Sequence, residues 1–217
     1  MKHYIITRFN YKYGFSKGLD VSGKTKEGVE WIRQRLILFY KYYIPSIKNQ
    51  TCQDFEIVFL CDKDSPRLLL EELSEFGKPI HIPLKEWFKT TELPVITSRL
   101  DSDDCLHKDY VKNIQEECAK KEVEKIIDIN PAFYLVDENR CGIINSRSPS
   151  QFLSTYSKTH KRFSCSTEHP RMRLFFDKYT RLNFIGALHV VHGGNASITD
   201  HYRRQQSIGL NLEDYGL

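Results

Sequence analysis

The sequence predicts an α/β fold in which a mostly parallel sheet is sandwiched by helices and the carboxy-terminal half is β-rich. Three observations carry this prediction. Phe55 to Cys61 (FEIVFLC) is a near-continuous apolar run, the mark of a strand buried on both faces, and parallel sheets bury their strands in that way. Strand and helix signals alternate through the first half, as βαβ units require. Beyond Lys121 the texture changes to a succession of strand-like segments.

Taken in order, His3 to Phe9 (HYIITRF) is rich in β-branched and aromatic residues and reads as the first strand. A loop rich in Gly, Lys and Ser, Asn10 to Lys26, leads to Trp31, Ile32, Leu36, Phe39, Tyr42 and Tyr43 at helical spacing, with Arg35 as a polar spacer and Pro45 expected to end or bend the helix. After the Phe55–Cys61 strand and Asp62, Ser65-Pro66 supplies a helix cap and a proline for the first turn; Leu68, Leu69, Leu73 and Phe76 line the helix, and Gly77 follows its end. Pro79 to Leu84 reads as a short strand near a sheet edge because of Pro83. Val95 to Leu100 (VITSRL) is the next strand and runs into Asp101-Ser102-Asp103-Asp104. Leu106, Tyr110, Val111, Ile114 and Cys118 then mark one helical face, which places the acids between a strand and a helix. Strand signals follow at Lys125–Ile129, Ala132–Val136, Gly142–Asn145, Gln151–Tyr156 and Ala187–Val191, with a turn at Glu138-Asn139-Arg140. No repeat or linker divides the 217 residues, so one domain, 1–217, with halves 1–120 and 121–217, is expected.

Composition narrows the function. Lys and Arg number 32 against 28 Asp and Glu, a net charge of +4, which permits an anionic ligand but is too small an excess for a dedicated nucleic-acid binder. The basic clusters Arg171-Met172-Arg173 and Arg203-Arg204 read as solvated surface. No apolar run approaches the roughly 18 to 20 residues a membrane-crossing helix needs, and Met1 to Arg8 carries no apolar leader, so the chain is expected in the cytoplasm. The six cysteines form no C-x-x-C pair and read mostly as buried thiols in a reducing compartment.

The acids carry the chemistry. In an open α/β sheet, ligands bind at the carboxyl ends of the strands, where Asp62 and Asp101 to Asp104 fall. Asp101, Asp103 and Asp104 repel one another, and a cation would relieve the repulsion; hard oxygen ligands suit Mg²⁺ or Mn²⁺ rather than Zn²⁺. Such an ion would also neutralise the phosphates of a nucleotide and stabilise a departing diphosphate. The plain alternative is that Asp101 or Ser102 caps the following helix and the other acids favour its positive end. Counting from Asp101, Leu106 and Lys112 stand where an EF-hand needs Gly and Glu, which excludes a calcium loop. Walker, dinucleotide-binding and G-x-S-x-G motifs are absent.

The stretch Thr97-Ser98-Arg99-Leu100-Asp101-Ser102-Asp103-Asp104 resembles the rhamnosyltransferase family of glycosyltransferases, a branch of the nucleotide-sugar-dependent GT-A class. So do Thr7-Arg8-Phe9-Asn10, the segment from Trp31 through Arg35, Pro45-Ser46-Ile47 and Gln50-Thr51 to Phe55, and the later Phe152-Leu153-Ser154, His169-Pro170 and His189 to Asn195. The resemblance implies a GT-A-like domain whose first half, 1–120, binds the nucleotide and whose second half, 121–217, faces the acceptor. It implies that Thr7, Arg8 and Asp62 hold base and ribose, that Asp101, Asp103 and Asp104 hold ribose, metal and diphosphate, and that His192 joins Asp103 and Asp104 as a metal ligand. His189 and His192 lie three apart on a strand, so only one is expected to reach the site.

The expected function is transfer of a sugar from a nucleotide-sugar donor to a glycan or lipid-linked acceptor, dependent on Mn²⁺ or Mg²⁺. A lipid-linked acceptor would allow loose attachment at the inner membrane face. Arg99 and Arg8 would stabilise the leaving diphosphate, as fixed charge stabilises any developing anion. An inverting reaction needs a base; Glu168 is favoured over Asp137, Glu138, His169 and Asp177, and Thr155 stands where an acid is expected after Phe152-Leu153-Ser154. The alternative is a catalytically silent nucleotide- or sugar-binding module of the same fold.

Overall fold

The computed structural model describes residues 1–11, 20–120, 123–144, 149–165, 169–192 and 199–217. Its first half runs β1 (Lys2–Arg8), α1 (Lys26–Leu38), α2 (Ile44–Lys48), β2 (Glu56–Leu60), α3 (Arg67–Ser74), β3 (Lys78–Ile80), α4 (Leu84–Phe88) and β4 (Val95–Arg99). Its second half runs β5 (Cys105–Leu106), α5 (Tyr110–Lys120), β6 (Lys125–Leu135), β7 (Arg140–Ile143), β8 (Ser154–Ser157), β9 (Tyr179–Val191), α6 (Thr199–Arg203) and β10 (Ser207–Ile208). One sheet joins the halves in the order β10-β7-β6-β8-β4-β1-β2-β3, with β9 on β6 and β5 on β9. The strands β3, β2, β1 and β4 are all parallel, as are β6 and β9; β8 joins β4 and β6 antiparallel.

The apolar run in β2 explains itself once both faces of the sheet are covered. Ile57 and Phe59, with Ile5 of β1, enter the cluster beneath α1, α3 and α5, whereas Val58 and Leu60, with Ile6, pack on the opposite face against Trp87 and Phe88 of α4. This is the period-two alternation of a strand with core on both sides. The larger cluster centres on aromatic rings: Phe39 stacks on Tyr43 at 4.9 Å and meets Phe9, Phe59 and Phe76 edge-on. Such pairs add roughly 0.5–1.5 kcal/mol each beyond the area they bury, which ties α1 to the sheet just behind the strand ends.

Several expectations change at the boundaries. Thr25 caps α1, accepting from the Gly28 N–H at 3.1 Å. Pro45 does not end the helical run. The turn ahead of it, Phe39–Tyr43, widens to a π-helix in which the Ile44 N–H bonds Phe39 O, and winding resumes to Lys48. Wider pitch accommodates a residue that lacks an N–H and crowds the preceding turn. Ser65 is not the cap of α3: Pro66 takes that place, and the Ser65 hydroxyl bonds Asp62 O at 2.6 Å. The third strand ends at Ile80 rather than Leu84, because Pro83 is the extended residue that starts α4; β3 does lie at the sheet edge. The two strand signals 125–129 and 132–136 are one strand, β6, with an irregular register around Asp128 to Pro131. The expected turn connects β6 to β7 through Asn139 at φ 47°, a conformation asparagine tolerates well. Four of the six cysteines are buried and all are free thiols.

Leu106 lies in β5, and α5 begins only at Tyr110. The acids are therefore separated from the helix start by a strand and a turn, and neither Asp101 nor Ser102 caps α5. The capping explanation fails on geometry.

Candidate functional site

β4 delivers the acidic turn to the carboxyl edge of the parallel strands. Leu100 N–H bonds Ile6 O at 3.2 Å, which holds the end of β4 against β1, and Asp104 N–H closes the turn on Asp101 O at 3.2 Å. Beside it, Asn10 ties together the loops after β1 and β2. Its amide donates to Val21 O at 2.9 Å and to the Ser65 hydroxyl at 2.8 Å, while its side-chain oxygen accepts from Asp62 N–H at 3.3 Å.

The three carboxylates have three different environments. Asp101 is half-buried between two guanidinium groups, Arg8 Nη2 and Arg99 Nη2, each at 3.4 Å. Asp103 is buried, and its Oδ2 is paired with the Arg35 guanidinium at 2.8 Å from Nη1 and accepts a hydrogen bond from His192 Nε2 at 3.1 Å. Burial pushes the Asp103 pKa up, but the His192 hydrogen bond and the Arg35 charge outweigh it and hold the carboxyl below its ordinary range. Asp104, 1% exposed, turns the other way. Its Oδ1 accepts from Val190 N–H and from His189 Nδ1, both at 2.9 Å, and its Oδ2 accepts from Gln151 Nε2 at 3.2 Å. Burial works to lower the His189 pKa; the Asp104 bond and the other two acids outweigh it and leave the imidazole raised.

Arginines therefore relieve the repulsion expected of the cluster without any added cation: Arg8 and Arg99 at Asp101, Arg35 at Asp103. Two polar atoms in the same place are buried without a partner among the described residues, Arg99 Nε and Ser102 Oγ. Buried donors left unbonded are costly, about 1–3 kcal/mol each, and such groups at a sheet edge are ones a ligand can satisfy.

Asp103 and His192 offer the ligand types of a divalent-ion site side by side. Among the described residues no group of three or more His, Cys, Asp or Glu converges. Two protein ligands, with phosphate oxygens and water completing the shell, is the arrangement in which Mg²⁺ and similar hard ions are commonly held at nucleotide sites. The donor set thus fits an ion at Asp103 and His192. Asp104 stands apart from that pair, its Oδ1 bonded to His189 and Val190 N–H and its Oδ2 to Gln151.

Other expected site residues are placed less directly. Thr7 is fully buried and its hydroxyl meets Tyr43 OH at 2.8 Å, so its side chain faces the core and only its backbone borders the strand end. Asp62 stands at the end of β2, its Oδ1 accepting from Asp64 N–H at 2.9 Å within its own turn. Glu168 lies outside the described residues. Asp137 and Glu138 are engaged with Arg203. Thr155 is fully buried and bonded to Thr97 across β8 and β4 at 2.9 Å, so an acid at that position would point into the sheet and not into the site. Both His189 and His192 meet the acidic turn, each at a different carboxylate: His189 at Asp104 and His192 at Asp103. Sequence reasoning missed Arg35 and Gln151 as members of the site.

Residues 3–85 match the model of the family described as "Putative rhamnosyl transferase". No curated protein sequence matches the chain. Among solved structures, residues 1–349 of S. aureus TarS in complex with UDP-GlcNAc align with a TM-score of 0.55 at 13% identity, over 90% of this chain and 60% of that one. TarS 1–349 in a second crystal structure gives a TM-score of 0.49 at 13% identity, over 88% of this chain and 60% of that one. The present chain thus spans 60% of the length of the TarS fragment. The family match takes in Thr7 to Asn10 and the segment from Trp31 to Phe55 and ends before Thr97–Asp104, and the TarS alignment shows that the chain has a GT-A-like fold.

Proposed function

We propose that the chain is a glycosyltransferase that takes a nucleotide-sugar donor with Mn²⁺ or Mg²⁺ and passes the sugar to a glycan or lipid-linked acceptor. The observation that carries this reading is the meeting of Asp103 and His192, 89 positions apart, at 3.1 Å beside the ends of β1 and β4. The family match over residues 3–85 and the likeness to the TarS fold support it.

The hard step in sugar transfer is departure of the nucleoside diphosphate while positive charge builds on the sugar ring. In this reading Asp103 and His192 hold the ion, which when bound supplies Lewis-acid stabilisation of the leaving diphosphate. Asp101 accepts the ribose hydroxyls and is itself oriented by Arg8 and Arg99. Those two guanidinium groups add fixed positive charge at the same edge, and the unbonded Arg99 Nε–H is a buried donor ready for an anionic oxygen. Asp104 holds the end of β9 and so positions His192 two residues beyond Val190. Asp62 and the backbone at Thr7 border the base. Glu168 is proposed as the base that takes the acceptor proton.

The test is a thermal-shift panel of UDP, dTDP and GDP, each with Mn²⁺, Mg²⁺ or chelator. At about 100-fold over Kd a ligand adds roughly 2.7 kcal/mol, which for a chain of this size raises the Tm by about 5 °C or more. One nucleotide is expected to give that shift with metal and lose it with chelator. No shift with any pair would overturn the reading.

A further inference from the structure

Asp103 Oδ2 is paired with Arg35 Nη1 at 2.8 Å and accepts from His192 Nε2 at 3.1 Å. A cation that takes that oxygen competes with both groups. His192 can change from donor to ligand by presenting Nε2 without its proton, but a guanidinium never deprotonates, so Arg35 keeps a positive charge that opposes the ion for as long as it stays beside Asp103.

The surroundings say where it goes. The Arg35 side chain is 22% exposed, near the carboxyl end of α1, and its guanidinium lies 5.1 Å from the Trp31 ring centroid one helical turn earlier. A planar group on an aromatic face can slide without losing that contact. Of the two other acids in the turn, Asp101 already has Arg8 and Arg99, and Asp104 is buried against His189. The nearest new negative charge is the incoming diphosphate.

We propose that Arg35 is a resident counter-ion that neutralises Asp103 in the free protein, yields it when the divalent ion arrives, and moves onto the diphosphate. This rests on the reading of Asp103 as an ion ligand. Arg35 opposes metal binding to the free protein and favours diphosphate binding to the metal-loaded one, so metal and nucleotide strengthen each other's binding through it.

Mn²⁺ binding to the metal-free protein, followed by the electron spin resonance of unbound Mn²⁺ with and without UDP, dTDP or GDP, separates the possibilities. Arg35→Met is expected to bind Mn²⁺ alone about tenfold more tightly than the unaltered protein, and to lose about tenfold of the enhancement the nucleotide confers, within the usual range of such couplings. Arg35→Gln gives the same two readings should the Met variant fold poorly. Asp103→Asn is expected to lose Mn²⁺ binding in both conditions. If Asp103→Asn loses the ion but neither Arg35 variant gains affinity for it, the hand-over is wrong. Unchanged Mn²⁺ binding by Asp103→Asn sinks the ion assignment itself.

Discussion

Asp103→Asn is expected to lower the rate of sugar transfer at saturating donor by about 10³-fold or more. The substitution keeps the shape of the side chain but removes the charge and one acceptor that Arg35 and His192 now share. An ion acting on the leaving diphosphate supplies several kcal/mol of barrier lowering, and each 1.36 kcal/mol is about tenfold in rate. Arg35 left without its carboxylate would still contribute charge near the diphosphate, so residual turnover above the uncatalysed rate is expected. A steady-state comparison of the two proteins checks this, and a loss smaller than about tenfold would show that Asp103 does not hold the ion.

Asp104→Ala is expected to act on stability instead. Removing one partner of a buried pair costs about 3–5 kcal/mol, because the other is left charged or unbonded in the interior. Here the bereft groups are His189, Val190 N–H and Gln151. For a chain of this length the Tm should fall by about 10 °C, measurable by calorimetry. The deficit should depend on pH. His189 has a raised pKa in the folded state, so its contribution is complete below the unfolded histidine value and is lost as pH rises through the folded one. The gap between the two proteins should therefore narrow as pH rises through that window. A melting curve within about 2 °C of the unaltered protein across the range would mean that Asp104 is not the anchor described.

The contrast between these neighbouring acids marks how far the sequence could be read. The strands β1, β2 and β4 were legible because their apolar runs report burial on both faces, and the position of the acids at the carboxyl edge followed from that. The β6–β7 turn was legible because Glu138-Asn139-Arg140 has turn chemistry. The division of labour between Asp103 and Asp104 was not. It depends on β9 lying beside the turn, where its pairing with β5 at Cys105 and Leu188 and with β6 holds it. The first part of β9 was missed because Arg181 and Asn183 interrupt its apolar pattern; Arg181 is there to pair with the buried Asp128 at 2.7 Å. Arg35 was hidden for a related reason: an arginine among apolar residues at helical spacing reads as the solvent face. Its presence in the segment from Trp31 to Phe55 that resembles the family was the one signal available. The repulsion among the acids was read correctly and its remedy incompletely, since two of the resident arginines, Arg8 and Arg35, lie far away in the chain.

The most direct test of the account is a crystal of the protein grown with Mn²⁺ and the nucleoside diphosphate that shifts its melting point, recorded at the manganese absorption edge. A single anomalous peak within about 2.0–2.3 Å of both Asp103 and His192, distances normal for such ligands, is predicted, with Asp104 still bonded to His189 and Arg35 on the diphosphate. A peak bound by Asp104, or an ordered diphosphate with no manganese beside Asp103, would contradict it.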